Sequence, residues 1–198
     1  MTIDSDDMLN SILDSISRID YIKSENIPEL DLYMDQIITF MDAQLKSTKR
    51  FKDDKILTKT MINNYVKNNL LPPPNKKKYS KDHVLSLIFI YYFKNILPIK
   101  DIETILLPLT EKYFQSTDNL NFTSLYNEIC AMQISRVSAL KDELKELFEM
   151  AETSFSDTES KDVEQLQLFS FICSLSFDVY VKKLLIEKLI DQISDETK

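Results

Sequence analysis

From Ile56 to Ile105 the chain reads ILTKTMINNYVKNNLLPPPNKKKYSKDHVLSLIFIYYFKNILPIKDIETI. Thr58 stands where a helix N-cap belongs. Met61, Ile62, Tyr65 and Val66 then fall three and four apart, forming the inner face of a helix of about ten residues. Lys59, Thr60, Asn63, Asn64 and Lys67 fall on its outer face. Asn68 and Asn69 are expected to end it, with Asn69 in the left-handed position that glycine normally takes. Pro72, Pro73 and Pro74 prevent further helix and stiffen the exit. Lys76 to Tyr79 has room only for a small wing. Ser80 caps the next helix, with Asp82 in its first turn. That helix, expected to reach about Asn95, is apolar nearly all round, which predicts a central core helix. Pro98 opens another short helix carrying Ile99, Ile102, Ile105 and Leu106.

On the N-terminal side, Ser5 to Lys23 places Met8, Leu9, Ile12, Leu13, Ile16 and Ile19 at helical spacing. Ser5 is its expected cap, and Asp6 and Asp7 favour its dipole. Ser24 to Pro28 is a break. A second helix is expected from about Asp31 to Leu45, followed by a basic connector, Lys46 to Lys55. On the C-terminal side two long helices are expected, about Asn121 to Ala151 and Val163 to Ile193, joined by a polar linker, Thr153 to Asp162. Val137, Leu140, Leu144, Leu147 and Ala151 form a short seam that suits a coiled coil or an ordinary bundle equally. The last helix is so widely apolar that the first helices or a second subunit must cover it. The expected fold is all-α. Its division is an N-terminal amphipathic helix (1–26), a winged unit (27–115) and a C-terminal long-helix bundle for dimerisation or sensing (116–198).

The chain has 198 residues and no glycine. That excludes glycine-rich phosphate loops and the dinucleotide fingerprint. It also directs left-handed backbone positions to Asn or Asp. Cys130 and Cys173 stand apart without ligand-spaced neighbours and read as buried, reduced thiols. With His83 the single histidine, no metal or cofactor is expected. Acidic pairs such as Asp31 with Asp35 and Glu143 with Glu146 supply no nucleophile beside a base, so no catalytic site is expected. Tyr65, Tyr79, Tyr91 and Tyr92 read as core residues with polar tips. The acidic opening is unlike a secretory leader, and Val84 to Phe93 is too short to span a bilayer. A cytoplasmic, non-membrane protein is expected.

The net charge is −8. Between Lys46 and Lys81, however, eleven lysines and arginines face only Asp53 and Asp54, giving +9 locally and −17 elsewhere. A basic island in an acidic chain is the footprint of a nucleic-acid face.

The stretch Leu57 to Leu106 resembles the MerR-type winged-helix DNA-binding domain. Ile62 and Tyr65 match its short helix, and Leu70, Leu71 and Pro72 its Leu-Leu-Pro. Lys76, Lys77 and Lys78 stand in for its wing arginines, and Tyr79 and Ser80 match its Tyr-Ser. Leu87 and Ile90 match the helix after that, and Ile99 and Ile102 the apolar pair of the next. The pattern departs from MerR at Asn63 and Asn64, which replace an Arg and a Tyr, and at Asn69, which replaces a glycine. The wing is shorter, and the connector 46–55 is longer than a tight helix-turn-helix turn. The longer string from LDLYMDQIITFM through KKKYSKDH is similar to an uncharacterised family of Gram-positive bacterial proteins, known as a domain of unknown function. That resemblance covers roughly 27–150.

The MerR resemblance implies a transcriptional regulator that binds duplex DNA, with a recognition helix (59–68) and a lysine wing (75–79). In that role Asn63 and Asn64 would present amides to adenine, the pairing that Asn makes well. Lys59 and Lys67 would reach phosphates, and Thr60 would add a hydroxyl contact. Lys76, Lys77 and Lys78 would bind the backbone or adjacent minor groove. A homodimer is expected, since two-fold symmetry places two recognition helices on a palindromic site. A small-molecule or protein effector is a further possible partner. The competing reading is a non-catalytic protein-interaction module on the same scaffold.

Overall fold

The structure, a computed structural model, describes residues 5–17, 21–157 and 161–196. Its helices are α1 (Ser5–Ser17), α2 (Met34–Gln44), α3 (Lys59–Lys67), α4 (Lys81–Phe93), α5 (Ile99–Tyr113), α6 (Phe122–Glu152) and α7 (Val163–Glu196). Two short strands, β1 (Leu32–Tyr33) and β2 (Lys78–Tyr79), pair antiparallel, with Leu32 opposite Tyr79 and Tyr33 opposite Lys78. The described residues are therefore mostly helical, and the sheet is minimal. The chain divides into two compact units, Met1–Ile19 with Met132–Lys188, and Asp20–Ala131 with Leu189–Lys198.

The second unit is built around α4. Every residue from His83 to Ile90 is buried, and α4 packs on α5 and on β2. Ile37 and Met41 of α2, Ile62 and Tyr65 of α3, Ile102 and Leu106 of α5, and Phe122 and Tyr126 of α6 are buried as well. Phe89 meets Phe122 and Tyr126 edge-on, the arrangement that the ring quadrupole favours. The Tyr126 hydroxyl donates to the Ile22 carbonyl at 2.6 Å, which satisfies both buried groups.

In the first unit Phe148 and Ala151 of α6 and Phe171 of α7 form the buried centre, with Leu9, Leu147 and Leu175 against it. The expected seam is largely kept and widened: Ala151 is buried and Val137, Leu144 and Leu147 are half-buried. Leu140 remains 40% exposed, whereas Phe148, outside the seam, is 5% exposed and meets Phe171 edge-on. A wide aromatic pair recruits a face that a strict heptad reading omits.

Several expected elements differ. The first helix is described over Ser5–Ser17, and it does not reach Lys23, since residues 21–23 are not helical. Ile19 lies outside the described residues, as do the side chains of Ser5, Asp6 and Met8. The second helix begins at Met34 because Leu32 and Tyr33 are extended and satisfy their backbone groups against β2. The helix after Pro98 is not short. It runs to Tyr113 and through Pro108, an exposed residue inside the helix whose ring removes one backbone donor.

The left-handed positions are also a correction. Asn69 (φ 56°) is one, but among the described residues Lys76 (48°), Lys77 (65°), Gln115 (55°) and Phe155 (58°) are others. At Asn69 and Gln115 backbone hydrogen bonds offset the side-chain penalty. The Gln115 N–H, for example, donates to the Asp82 carboxylate at 2.7 Å. The cysteines are free but not buried: Cys130 is half-buried and Cys173 exposed. Tyr65 and Tyr79 are buried, while Tyr91 and Tyr92 are only half-buried. No helix among the described residues is long and apolar enough to cross a membrane.

Candidate nucleic-acid interface

Both ends of α3 are closed by the chain itself. The Met61 N–H donates to the Thr58 hydroxyl at 3.2 Å, an N-cap bond that satisfies one of the free amides of the first turn. At the other end the Leu70 N–H reaches back to the Tyr65 carbonyl at 2.8 Å, and the Asn69 N–H to Val66 at 3.3 Å. This is the Schellman pattern, with Asn69 in the left-handed position. Ile62 and Tyr65 hold the helix inward, while Lys59, Thr60, Asn63, Asn64 and Lys67 are exposed.

The stretch expected to form a wing, 75–79, contains a tight turn. Asn75 and Lys78 exchange both backbone bonds, at 3.0 and 2.9 Å, around Lys76 and Lys77. Positive φ at both central residues is the signature of the primed hairpin turns, where Asn-Gly is usual. The three lysines are not equivalent. Lys76 and Lys77 project from the tip, whereas Lys78 is half-buried. The Lys78 ammonium lies 5.4 Å from the centre of the Tyr33 ring, within the range of a cation–π contact.

These parts converge on one groove of about 390 Å³. Tyr33 and Asp35 line it from β1 and α2, Asn63 from α3, and Pro74, Lys77 and Tyr79 from the turn. Asn63 and Lys77 are thus brought together. Lys59 joins them through its ion pair with Asp35 at 2.7 Å. Thr60, Asn64, Lys67, Lys76 and Lys78 do not line the groove.

Sequence reasoning misses Tyr33 and Asp35. Periodicity puts Tyr33 in a helix and Asp35 on a soluble surface. One usable signal is Gln36, whose side chain accepts from the Tyr33 N–H at 2.8 Å. Such a bond marks a helix that starts after Tyr33. The basic island is also partly neutralised from outside. Asp42, Asp35 and Glu29 pair with Lys49, Lys59 and Lys81 at 2.6, 2.7 and 2.6 Å.

His83 braces the turn from within. Its Nδ1 accepts from the Ser80 N–H at 2.9 Å, and its ring lies edge-on to Tyr79 and Phe114. Burial holds its pKa below the usual histidine range, against opposing contributions from the Pro73 and Pro72 backbone and from Asp31. Burial likewise raises the Asp82 carboxyl, countered by the Gln115 N–H and by Lys81. Among the described residues no group of three or more His, Cys, Asp or Glu could hold a metal ion.

The class defined by these observations is a mostly helical protein with one small two-stranded sheet. More particularly, the family described as Domain of unknown function (DUF1836) matches residues 22–129, and the chain belongs to it. No curated protein and no solved structure matches the chain.

Proposed function

We propose that this protein binds duplex DNA as a transcriptional regulator, through a MerR-like winged helix-turn-helix within 27–115. The observation that carries the reading is that Asn63 of α3 and Lys77 of the wing line one groove. In this reading α3 enters the major groove, where Asn63 and Asn64 offer amides to adenine N6 and N7. Thr60 adds a hydroxyl contact, and Lys59 and Lys67 meet phosphates. Lys76 and Lys77 reach the backbone or the adjacent minor groove. Lys78 contributes less directly, because its ammonium lies over the Tyr33 ring.

The test is binding of the purified protein to random-sequence duplex and to its own upstream region, across a salt series. Affinity that falls steeply with salt, prefers the upstream region, and is lost when Lys76, Lys77 and Lys78 are all changed to Glu supports the reading. A protein-interaction module is the second reading, favoured by the Asp35 carboxylate inside the groove, which repels phosphate. Absence of DNA binding even at low salt selects it.

A further inference from the structure

We propose that the loop between α2 and α3, residues 46–55, is a second DNA contact that grips phosphates beside the α3 site. Its role rests on the DNA-binding reading and adds a surface that α3 and the turn at 75–78 do not supply. Five cations fall within these ten residues, against Asp53 and Asp54. The fold neutralises one of them, Lys49, which Asp42 holds at 2.6 Å. Lys46, Arg50, Lys52 and Lys55 are exposed, and no acidic side chain among the described residues forms an ion pair with them. In a chain of net charge −8, four unpaired cations on one loop are a local attractor for an external anion.

The loop is built to hold its shape. Its base is fixed by the buried side chains of Leu45, Ile56 and Leu57. The Thr48 and Tyr91 hydroxyls share a hydrogen bond there, and the Lys94 ammonium donates to the Ile56 carbonyl at 2.9 Å. Its tip is closed twice. The Phe51 N–H donates to the Asp54 carboxylate at 2.8 Å, and the Asp54 N–H to the Phe51 carbonyl at 3.1 Å. The Phe51 ring at this tip is 62% exposed, and the Arg50 guanidinium lies 5.1 Å from its centre. A ring beneath a guanidinium holds it in place, and the planar fork of arginine takes a phosphate by two bonds.

Position and composition choose the anion. The loop leads directly to Thr58, the cap of α3, so Lys55 stands within about 14 Å of Lys59 by chain length alone. The major groove is about 12 Å wide, with a phosphate strand on either side. A duplex that seats α3 therefore brings phosphates within reach of the loop. An anionic membrane surface is the poorer fit, because one ring beside two carboxylates gives no apolar face to bury. Cations on phosphates read no bases, so the loop strengthens binding to every sequence alike.

The test is a salt series with the full chain on its upstream duplex and on random-sequence duplex. Arg50→Gln, Lys52→Gln and Lys55→Gln together are expected to lower affinity at least about ten-fold at about 150 mM salt, alike on both duplexes. The slope of log affinity against log salt is expected to flatten by about 2.7. Lys100→Gln, Lys145→Gln and Lys188→Gln together remove the same charge elsewhere and are expected to leave the slope unchanged. Phe51→Ala keeps every charge and is expected to weaken binding about three-fold with the slope retained. All seven side chains are exposed, and circular dichroism checks that each variant is folded. A folded loop variant with the wild-type slope overturns the inference and leaves the DNA-binding reading standing. So does equal flattening in the control triple. Loss of binding to phosphatidylglycerol vesicles, with DNA binding kept, assigns the loop to a membrane surface and overturns it as well. A wild-type chain that binds no duplex at low salt sinks the functional reading and this one with it.

Discussion

The Lys59 ammonium lies 2.7 Å from the Asp35 carboxylate at the edge of the groove that Asn63 and Lys77 share. The first residue of α3 is therefore held by the first turn of α2. A lysine committed to a carboxylate is a weaker phosphate ligand than its position suggests. Asp35→Asn is expected to raise affinity for duplex DNA about three- to ten-fold and to steepen the log affinity against log salt slope by about 0.9. Both groups are mostly exposed, so stability is expected to change by less than about 1 kcal/mol. A salt titration of both forms checks this, and an unchanged slope counts against Lys59 as a phosphate contact.

Lys77 and Asn69 occupy left-handed backbone at opposite ends of the Leu-Leu-Pro-Pro-Pro stretch. Glycine fits that region without steric cost. Lys77→Gly and Asn69→Gly are each expected to stabilise the fold by about 0.5–1 kcal/mol. Their effects on DNA should part, because Lys77→Gly also removes a cation from the groove while Asn69 lies outside it. Urea midpoints read the first quantity and DNA affinity the second.

His83 makes stability depend on mild acid. Its folded pKa lies below its unfolded value, so the unfolded chain takes up the proton first. The stabilisation is fully present above about pH 6.5 and is lost as pH falls from there through the depressed folded value. The expected slope is up to about 1.4 kcal/mol per pH unit within that window. His83→Gln keeps a neutral polar side chain and should flatten the slope. Urea unfolding at several pH values from neutral downward, compared between the two forms, checks it.

Tyr126 donates to the Ile22 carbonyl from a buried position. Tyr126→Phe keeps the ring against Phe89 but leaves that carbonyl without its partner. A loss of about 1–2 kcal/mol is expected in chemical denaturation. A neutral result would show that water replaces the hydroxyl.

Periodicity makes the helices legible wherever one face is buried and the other wet. That is why Thr58, Ile62, Tyr65 and Ser80 can be assigned from the chain alone, along with the outward set from Lys59 to Lys67. The strand Leu32–Tyr33 is not legible, because two residues carry no period and their partner lies far along the chain. Asp35 escapes for the same reason. A carboxylate on a helix surface looks like solubility until folding sets it against Lys59. The positions of Lys76 and Lys77 can be read, but not their backbone, since propensity alone assigns left-handed residues to Asn. Phe148 is passed over because heptad counting gives weight to spacing and none to the width of a ring.

The two-pair sheet has a kinetic consequence. Leu32 and Tyr79 are paired across a long stretch of sequence, so their meeting closes a long loop in return for very few bonds. The turn at 75–78 forms locally and cheaply, but its strand's pairing with β1 must wait until that loop closes. Substitutions at Tyr33 should therefore hasten unfolding and leave the folding rate almost untouched. In the native protein this ladder should be among the first to exchange its amide hydrogens, well before those of α4. The groove would then be the last part of the molecule to assemble and the first to come apart.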